Sequence, residues 1–498
     1  MHRCLLSTLL LPIIILAADK KKPEFGPLLS LEQIYEKNEF NSKGFSMKWL
    51  NLGQGYVRAE KSKETKDAED IVQYNPATGR KNILVTAKTL IPKGEKKPLK
   101  LNGYTFTEDL SKVLIFTNTR RVWRRNTRGD YWVLNRDNGQ LKKLGRGAKE
   151  STLMFAKFSP VNSNHVAYVR EKNIYVEDLG SDQIRVLTNR ESDTVINGTF
   201  DWVYEEELGL RDGYRWSPDG KAIAYWQLDE EGVPEMNMLN NVSGYYPKLI
   251  TFRYPKTGET NAIGRVGVVH LEEGKTTWMK VPGDPRNHYI ARMDWADNST
   301  QLLLQQLNRL QNQNKVMLAD VRSGKVKTAY TDEDQAWIEV RFGFTQWIEK
   351  GKHFTYVSER EGWRQLYFVS REGRKVRKVT EGKYDIIRVL KLDEVSQFLY
   401  FIASPDNATE RYLYQIGLDG KGLKRVTPLG QNGSHSYSIS PDAKWALHTF
   451  SNLDSPPVTN LIELPSHKTV RVMEENQVLR EKLSKLKLPQ TEFFRIKI

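Results

Sequence analysis

Along most of the chain, apolar residues come in short runs separated by turn residues, too short for helices of ordinary globular length. His353-Phe-Thr-Tyr-Val357 and Gln365-Leu-Tyr-Phe-Val369 are two such runs, and they predict antiparallel strands. The runs sit in a recurring pattern: a turn, a short apolar run, a second run with aromatic alternation, a tight glycine turn, and a mixed basic and apolar strand. Ser217-Pro-Asp-Gly220 followed by Ala222-Ile-Ala-Tyr-Trp226 is one instance. Another runs through Asp297-Asn-Ser-Thr300, Leu302-Leu-Leu304, Val316-Met-Leu-Ala319, Arg322-Ser-Gly324 and Val326-Lys-Thr328. The turn glycines fall at Gly79, Gly139, Gly180, Gly274, Gly324, Gly373 and Gly420, with Pro465-Ser466 in the equivalent place of a last unit.

The later spacings match the roughly 40 to 50 residues of a four-stranded propeller blade. Eight units are counted, and the expected fold is all-β: an eight-bladed β-propeller of four-stranded antiparallel blades. A lone blade would leave an apolar face and two sheet edges open, and stacking blades around an axis buries the faces and shortens the edges. A pair of β-sandwiches is the alternative, but sandwiches require no constant repeat. The gaps between Gly79 and Gly139 and between Gly180 and Gly274 exceed one blade and predict insertions.

Two segments fall outside the array. Ser30-Leu-Glu-Gln33 matches a capping box, and Leu31, Ile34 and Tyr35 follow at helical spacing, which predicts a short amphipathic helix. At the other end, 474–487 is charged and helix-permissive, and Phe493-Phe-Arg-Ile-Lys-Ile498 has a strand-like alternation. The expected division is a signal peptide at 1–18, an N-terminal segment with the short helix at 19–46, the propeller at 47–473, and a linker leading toward a further domain at 474–498.

Composition supports a globular reading: 39% of the 498 residues are hydrophobic and 28% charged, with 34 Gly and 20 Pro, unlike disordered or collagen-like chains. Twelve Trp, 22 Tyr and 18 Phe favour strands. The net charge of +15 would attract anionic surfaces. No nucleic-acid-binding motif accompanies it, so no nucleic-acid partner is expected.

The first residues bear on compartment. A basic start, an apolar run from Leu5 to Leu16, Ala17-Ala18 and then Asp19-Lys20-Lys21-Lys22 read as a secretory signal, too short for an ordinary membrane span. The single cysteine, Cys4, lies inside it. A mature chain without cysteine has no disulfide, thiolate metal site or cysteine nucleophile, and an exported protein of that kind fits a bacterial periplasm or exterior. Asn-x-Ser/Thr triplets such as Asn197-Gly-Thr199 and Asn407-Ala-Thr409 keep a eukaryotic route open.

The residues also carry a family resemblance. Phe200-Asp-Trp-Val-Tyr-Glu-Glu-Glu-Leu208 followed by Tyr214-Arg-Trp-Ser-Pro-Asp-Gly220 resembles the dipeptidyl peptidase IV family of serine peptidases. Similar likeness extends over Val122-Trp-Arg-Arg-Asn-Thr-Arg-Gly-Asp-Tyr-Trp132, Tyr254-Pro-Lys-Thr-Gly-Glu-Thr-Asn261 and Ser358-Glu-Arg-Glu-Gly-Trp-Arg364, in family order from about Leu31 to Ile498. The resemblance implies a propeller that caps a Ser-Asp-His active site in an α/β-hydrolase domain and grips the substrate's free N-terminus. It assigns that grip to Glu206 and Glu207, and assigns the arginine that binds a nearby substrate carbonyl to Arg124. Arg125 and Arg128 stand close by, and the family's following His-Ser is replaced by Arg125-Asn126, so the register of that arginine is open by one residue.

The residues speak to the same chemistry. Adjacent carboxylates repel unless a cation sits between them, and a peptide's terminal ammonium is such a cation; a solvated acidic turn is the plainer alternative. No Gly-x-Ser-x-Gly string marks a nucleophile elbow. Gly433-Ser-His-Ser-Tyr437 joins serine and histidine in a blade-type turn and is not expected to be catalytic. The eight histidines show no metal-ligand spacing, and His165, His270, His288 and His448 read as surface or packing residues. No catalytic residue, cofactor or metal is therefore expected in this chain. Two function classes follow. In one, the chain is the substrate-gating propeller of an exported dipeptidyl-peptidase-like exopeptidase, partnered by a hydrolase domain or chain encoded nearby or lost. In the other, it is a stand-alone propeller that binds peptides or envelope partners. Residues 234–254, with Met236, Met238, Tyr245, Tyr246 and Leu249, lengthen the fourth unit, and the resemblance makes them an arm for weak homodimers.

Overall fold

The computed structural model describes residues 29–51, 53–340, 345–486 and 491–497. The expected signal peptide, with Cys4, lies outside them. Eight four-stranded antiparallel units follow one another along the chain and form an eight-bladed β-propeller. Blade 1 takes Lys48–Trp49, Tyr56–Lys61, Glu69–Tyr74 and Lys81–Val85. Blades 2 to 8 occupy 103–143, 153–186, 195–278, 288–333, 347–378, 386–425 and 434–474.

All eight turn markers fall between the third and fourth strand of a blade, where the sequence placed them. In the middle blades the second and third strands are buried on both faces because each blade is pressed between two others. Ala222–Asp229 is buried at every position but the last, and Gln365–Ser370 likewise. One cluster shows the packing directly: Leu303, Val316 and Tyr330 of blade 5 meet Phe354, Tyr356 and Val369 of blade 6. Outer strands such as Val376–Lys378 are mostly exposed, which suits their basic residues.

Inner-strand tryptophans tie blades together. The Trp216 indole N–H donates to Lys157 O (3.3 Å), Trp295 donates to Arg215 O (3.3 Å), and Trp49 donates to Ser438 O (3.0 Å). Each bond reaches the preceding blade, and the third crosses from blade 1 to blade 8. The ring is thus closed by the same device that joins blades within it. Asn476 adds a clamp at the seam, accepting from Lys43 N (2.7 Å) and donating to Lys43 O (2.9 Å).

The two predicted insertions are real, and both lie on blades 2 and 4. In blade 2 the hairpin of Lys112–Val122 and Arg125–Asn135 runs past the sheet and ends in the turn Trp123-Arg124. Its far part is held sideways, since Arg128 and Gly129 pair with Met154 and Leu153 of blade 3. In blade 4 the inner strand is broken. Val195–Asn197 and Tyr214–Trp216 both pair with Ala222–Asp229, and residues 198–213 leave the sheet between them. Gly198 and Gly213 pinch the base of that excursion: Gly213 N donates to Gly198 O (3.0 Å), and a Cβ on Gly213 would lie 2.6 Å from the Gly198 carbonyl carbon. Blade 4 also sends out a two-stranded arm, Glu235–Asn240 with Lys248–Arg253, between its second and third strands.

The terminal segments depart from expectation. The capping box forms as predicted, with Gln33 N donating to Ser30 Oγ (3.1 Å) and Ser30 N to Gln33 Oε1 (3.0 Å). It caps only one π-type turn, Glu32–Glu36, and Leu31 before it and Tyr35 within it stay exposed, because no packed face extends it. An α-helix does form at Gln477–Leu483. Phe493, Phe494 and Ile496 are exposed and in no strand, since alternation makes a strand only beside a partner. No helix among the described residues is long and apolar enough to cross a membrane.

Candidate functional site

The excursion from blade 4 folds around the Asp-Trp-Val-Tyr-Glu-Glu-Glu string, whose polar and aromatic side chains are separated by the fold. Asp201 caps the helix Trp202–Glu206 by accepting from Tyr204 N (2.9 Å). Tyr204 is the anchor: it stacks on Phe200 (5.6 Å between rings) and its hydroxyl accepts from Ile290 N of blade 5 (3.2 Å). Phe200 in turn meets Trp226 edge to face (5.2 Å), so the helix is fixed to the blade core.

The three glutamates then diverge. Glu205 is buried and accepts from Arg211 Nε (3.0 Å). Glu206, 14% exposed, accepts from Arg124 Nε at 2.7 Å, across 82 residues of sequence. Glu207 is exposed, and its backbone N–H donates to Val203 O. Burial pushes the Glu205 carboxyl above its ordinary value against the pull of Arg211, and full burial pushes Asp201 up to about 7. The repulsion expected between neighbouring carboxylates is therefore relieved by two protein cations, one for each of the first two glutamates.

Arg124 reaches Glu206 because the blade 2 hairpin carries it there. Among the described residues it is the arginine of that turn that does so. Arg125 pairs with Val122 inside the hairpin, and Arg128 lines a cavity of about 650 Å³ beside the helix. Trp123, Trp202, Glu205 and Phe252 share that wall. A second cavity, of about 1170 Å³, is lined by Phe158, Trp216, Trp295 and Trp347. The two lie at opposite ends of the inner strand Leu153–Phe158, with Met154 in one wall and Phe158 in the other.

Over residues 107–457 the sequence matches the family described as dipeptidyl peptidase IV (DPP IV) N-terminal region. The chain belongs to the dipeptidyl peptidase IV family. It is 26% identical over 485 residues to a probable dipeptidyl peptidase 4 of Trichophyton verrucosum, covering 95% of this chain and 62% of that one. A probable dipeptidyl peptidase 4 of Emericella nidulans is 25% identical over 454 residues, 87% of this chain and 58% of its own. Among solved structures, Porphyromonas gingivalis dipeptidyl peptidase 4 superposes with a TM-score of 0.83 at 25% identity, over 92% of this chain and 64% of that one. The chain spans less than two thirds of the length of these relatives. The match covers both halves of the Arg124–Glu206 pair.

Other readings of the sequence fare differently. Gly433-Ser-His-Ser-Tyr437 is not a turn but the start of the inner strand Ser434–Ile439, with His435 buried and Ser434 and Ser436 exposed on the other face. His435 meets His448 (Nδ1 to Nε2, 2.8 Å), and His467 meets Tyr437 Oη (2.9 Å). The histidines that looked scattered thus include three gathered in blade 8. Burial pulls His435 down to about 4 and His448 to about 2. Sequence reasoning missed Asp201 as a cap, although an Asp just before a short apolar-aromatic run is a helix-start signal. It also missed the aromatic contacts around Trp123, which carry no local signal.

Proposed function

We propose that this chain supplies the substrate-gripping, substrate-gating propeller of an exported dipeptidyl-peptidase-type serine exopeptidase, and that Glu206 and Glu207 receive the free N-terminus of a peptide while Arg124 faces the adjacent carbonyl. The observation that supports this most is the 2.7 Å pair between Arg124 and Glu206, built from two insertions on different blades. Both belong to excursions that the propeller core does not need. An ammonium offers three donors, and a carboxylate pair with one cation on its flank is a receptor for it. An internal peptide segment has no such charge. Export rests on the basic start and apolar run at 1–18.

Hydrolysis needs an activated nucleophile and an oxyanion hole. No Gly-x-Ser-x-Gly string occurs in the 498 residues, so the purified chain is expected to leave a chromogenic Xaa-Pro amide uncut. Turnover that persists through purification and yields to a serine-directed inhibitor would overturn that part.

Arg124 and Glu207 are exposed, so their charges sit in high dielectric, where an ion pair contributes at most about 1 kcal/mol. Binding is therefore expected to be millimolar or weaker, and sensitive to salt. A calorimetric titration with a free dipeptide and its N-acetylated form tests the reading. Acetylation, Glu206→Gln and Glu207→Gln should each weaken binding, and equal binding throughout would reduce the acidic pair to a solvated turn. The arm bears Tyr245 and Tyr246 fully or largely exposed, with Leu239, Val242 and Leu249, and we assign it to weak pairing with a second copy. Sedimentation in which a tight dimer survives deletion of the arm tip would contradict that.

A further inference from the structure

The arm leaves blade 4 near the Arg124–Glu206 pair, and Phe252 and Tyr254, at the end of its returning strand, touch the tryptophans that flank the two halves of that pair. Phe252 meets Trp123 edge to face, with ring centroids 5.2 Å apart and an interplanar angle of 63°. Tyr254 meets Trp202 at 4.4 Å. Phe252 and Tyr254 contact each other at 6.0 Å and 90°. Trp123 directly precedes Arg124, and Trp202 opens the helix that carries Glu206. Four rings thus run from the arginine turn, through the arm, to the glutamate helix.

The turn needs such support. Trp123 holds a left-handed backbone, φ 47°, which a bulky residue adopts only where its surroundings impose it. Two contacts do so: Arg121 Nε donates to Trp123 O at 2.9 Å, and Phe252 packs on the indole. Arg124 itself is 74% exposed, so little beyond the Glu206 carboxylate and its own turn restrains it. The base of the arm is in turn fixed, with Tyr254 N donating to Pro234 O (2.9 Å) and Arg253 Nη1 to Val233 O (3.0 Å).

We propose that the root of the arm is a positioning clasp: Phe252, through Trp123, sets where Arg124 stands relative to Glu206, so that displacement of the arm changes the grip on a peptide N-terminus. This rests on the N-terminus reading given above, and it makes Phe252 and Trp123 positioning residues that act through Arg124. Any event that moves the arm, such as pairing with a second copy through its exposed tip, is then coupled to peptide affinity through one aromatic contact.

The test uses the full chain and two readouts. Without ligand, limited trypsin digestion followed by mass spectrometry measures cleavage in the hairpin turn after Arg124 or Arg125. Losing the ring contact should free the turn, so Phe252→Ala is expected to raise that cleavage about fivefold while sites elsewhere keep their rates. Phe252→Trp should hold it near the native rate, and Tyr245→Ser at the arm tip should leave it unchanged. With ligand, free dipeptide affinity should fall about three- to tenfold in Phe252→Ala, and by no further factor when Arg124→Ala is already present. Unchanged hairpin cleavage in Phe252→Ala would overturn the clasp, as would an affinity loss that is the same with and without Arg124. If the native chain binds no peptide, the N-terminus reading fails, and hairpin cleavage alone decides whether the arm positions the turn.

Discussion

Blade 6 completes its four strands within residues 347–378, whereas blade 4 spends 195–278 on the same unit. The difference is not in the core rows. Gln365–Ser370 and Ala222–Asp229 are equally buried, and both blades end in a short exposed outer strand or a half-buried one. Blade 4 instead admits extra chain at two places: inside its inner strand, where residues 198–213 step out and return, and between its second and third strands, where the arm departs. In both cases strand pairing resumes in register on the far side of the insertion. A propeller blade can therefore be decorated without its packing being redesigned, and the Arg124–Glu206 pair joins the additions of blades 2 and 4.

If core and decoration are separable in this way, a substitution in the rows should damage stability, and one in the insertions should damage binding. The largest effect is expected at Trp226, fully buried in the second strand of blade 4 with its indole N–H donating to Ile290 O (2.8 Å). Trp226→Ala should cost about 3–5 kcal/mol in urea unfolding. A cost near zero would mean that blade 4 is not packed as a core blade at all.

Acid should find the weak point of the plain half. His435 and His448 are buried in blade 8, with folded values pulled down to about 4 and about 2. Unfolded histidine titrates near about 6.5. Below that value the unfolded chain binds more protons than the folded one, so stability is unaffected at higher pH and falls as pH drops. At pH 5 the loss should be roughly 2 kcal/mol for each of the two. Urea midpoints measured from pH 7.5 to 5 should decline steeply, and His448→Gln should flatten the decline. An equal slope in both proteins would contradict this account of blade 8.

The pinch at the base of the insertion gives a smaller effect. Gly213→Ala places a Cβ 2.6 Å from the Gly198 backbone and should cost about 1–3 kcal/mol as the excursion shifts. Peptide binding should suffer more than the melting temperature does. Smallest of all should be the stability effect of Arg124→Ala, below about 0.5 kcal/mol for so exposed a side chain, even though it removes a partner of Glu206. A large stability loss there would show that the hairpin belongs to the core rather than to the site.

Most of the ring could be read from the sequence because each blade must turn tightly between its third and fourth strands, and glycine marks the turn. Gly79 and Gly324 sit there with φ of 73° and 69°. Even Gly180, which lacks a positive φ, stands in the expected turn, where Asp178 accepts from its N–H and Asp182 takes the left-handed backbone. What was not readable depends on contacts across blades. The spacing of His435, His448 and His467 follows strand pairing, not the short intervals of a ligand set. Arg124 and Glu206 were singled out only through the family resemblance, since nothing local to either residue announces the other 82 positions away. The three glutamates looked alike in sequence, and only the fold separates a buried one, a paired one and an exposed one.

The central claim is that the decorated blades exist to hold a peptide by its N-terminus at Glu206, and a crystal structure of this chain soaked with a free Xaa-Pro dipeptide tests it most directly. The account predicts the terminal ammonium within about 3 Å of the Glu206 and Glu207 carboxylates, with the first carbonyl turned toward the Arg124 guanidinium. A dipeptide lodged instead among Phe158, Trp216 and Trp295 at the other end of the inner strand, or one bound with its carboxylate against Arg124 and its ammonium in solvent, would contradict it.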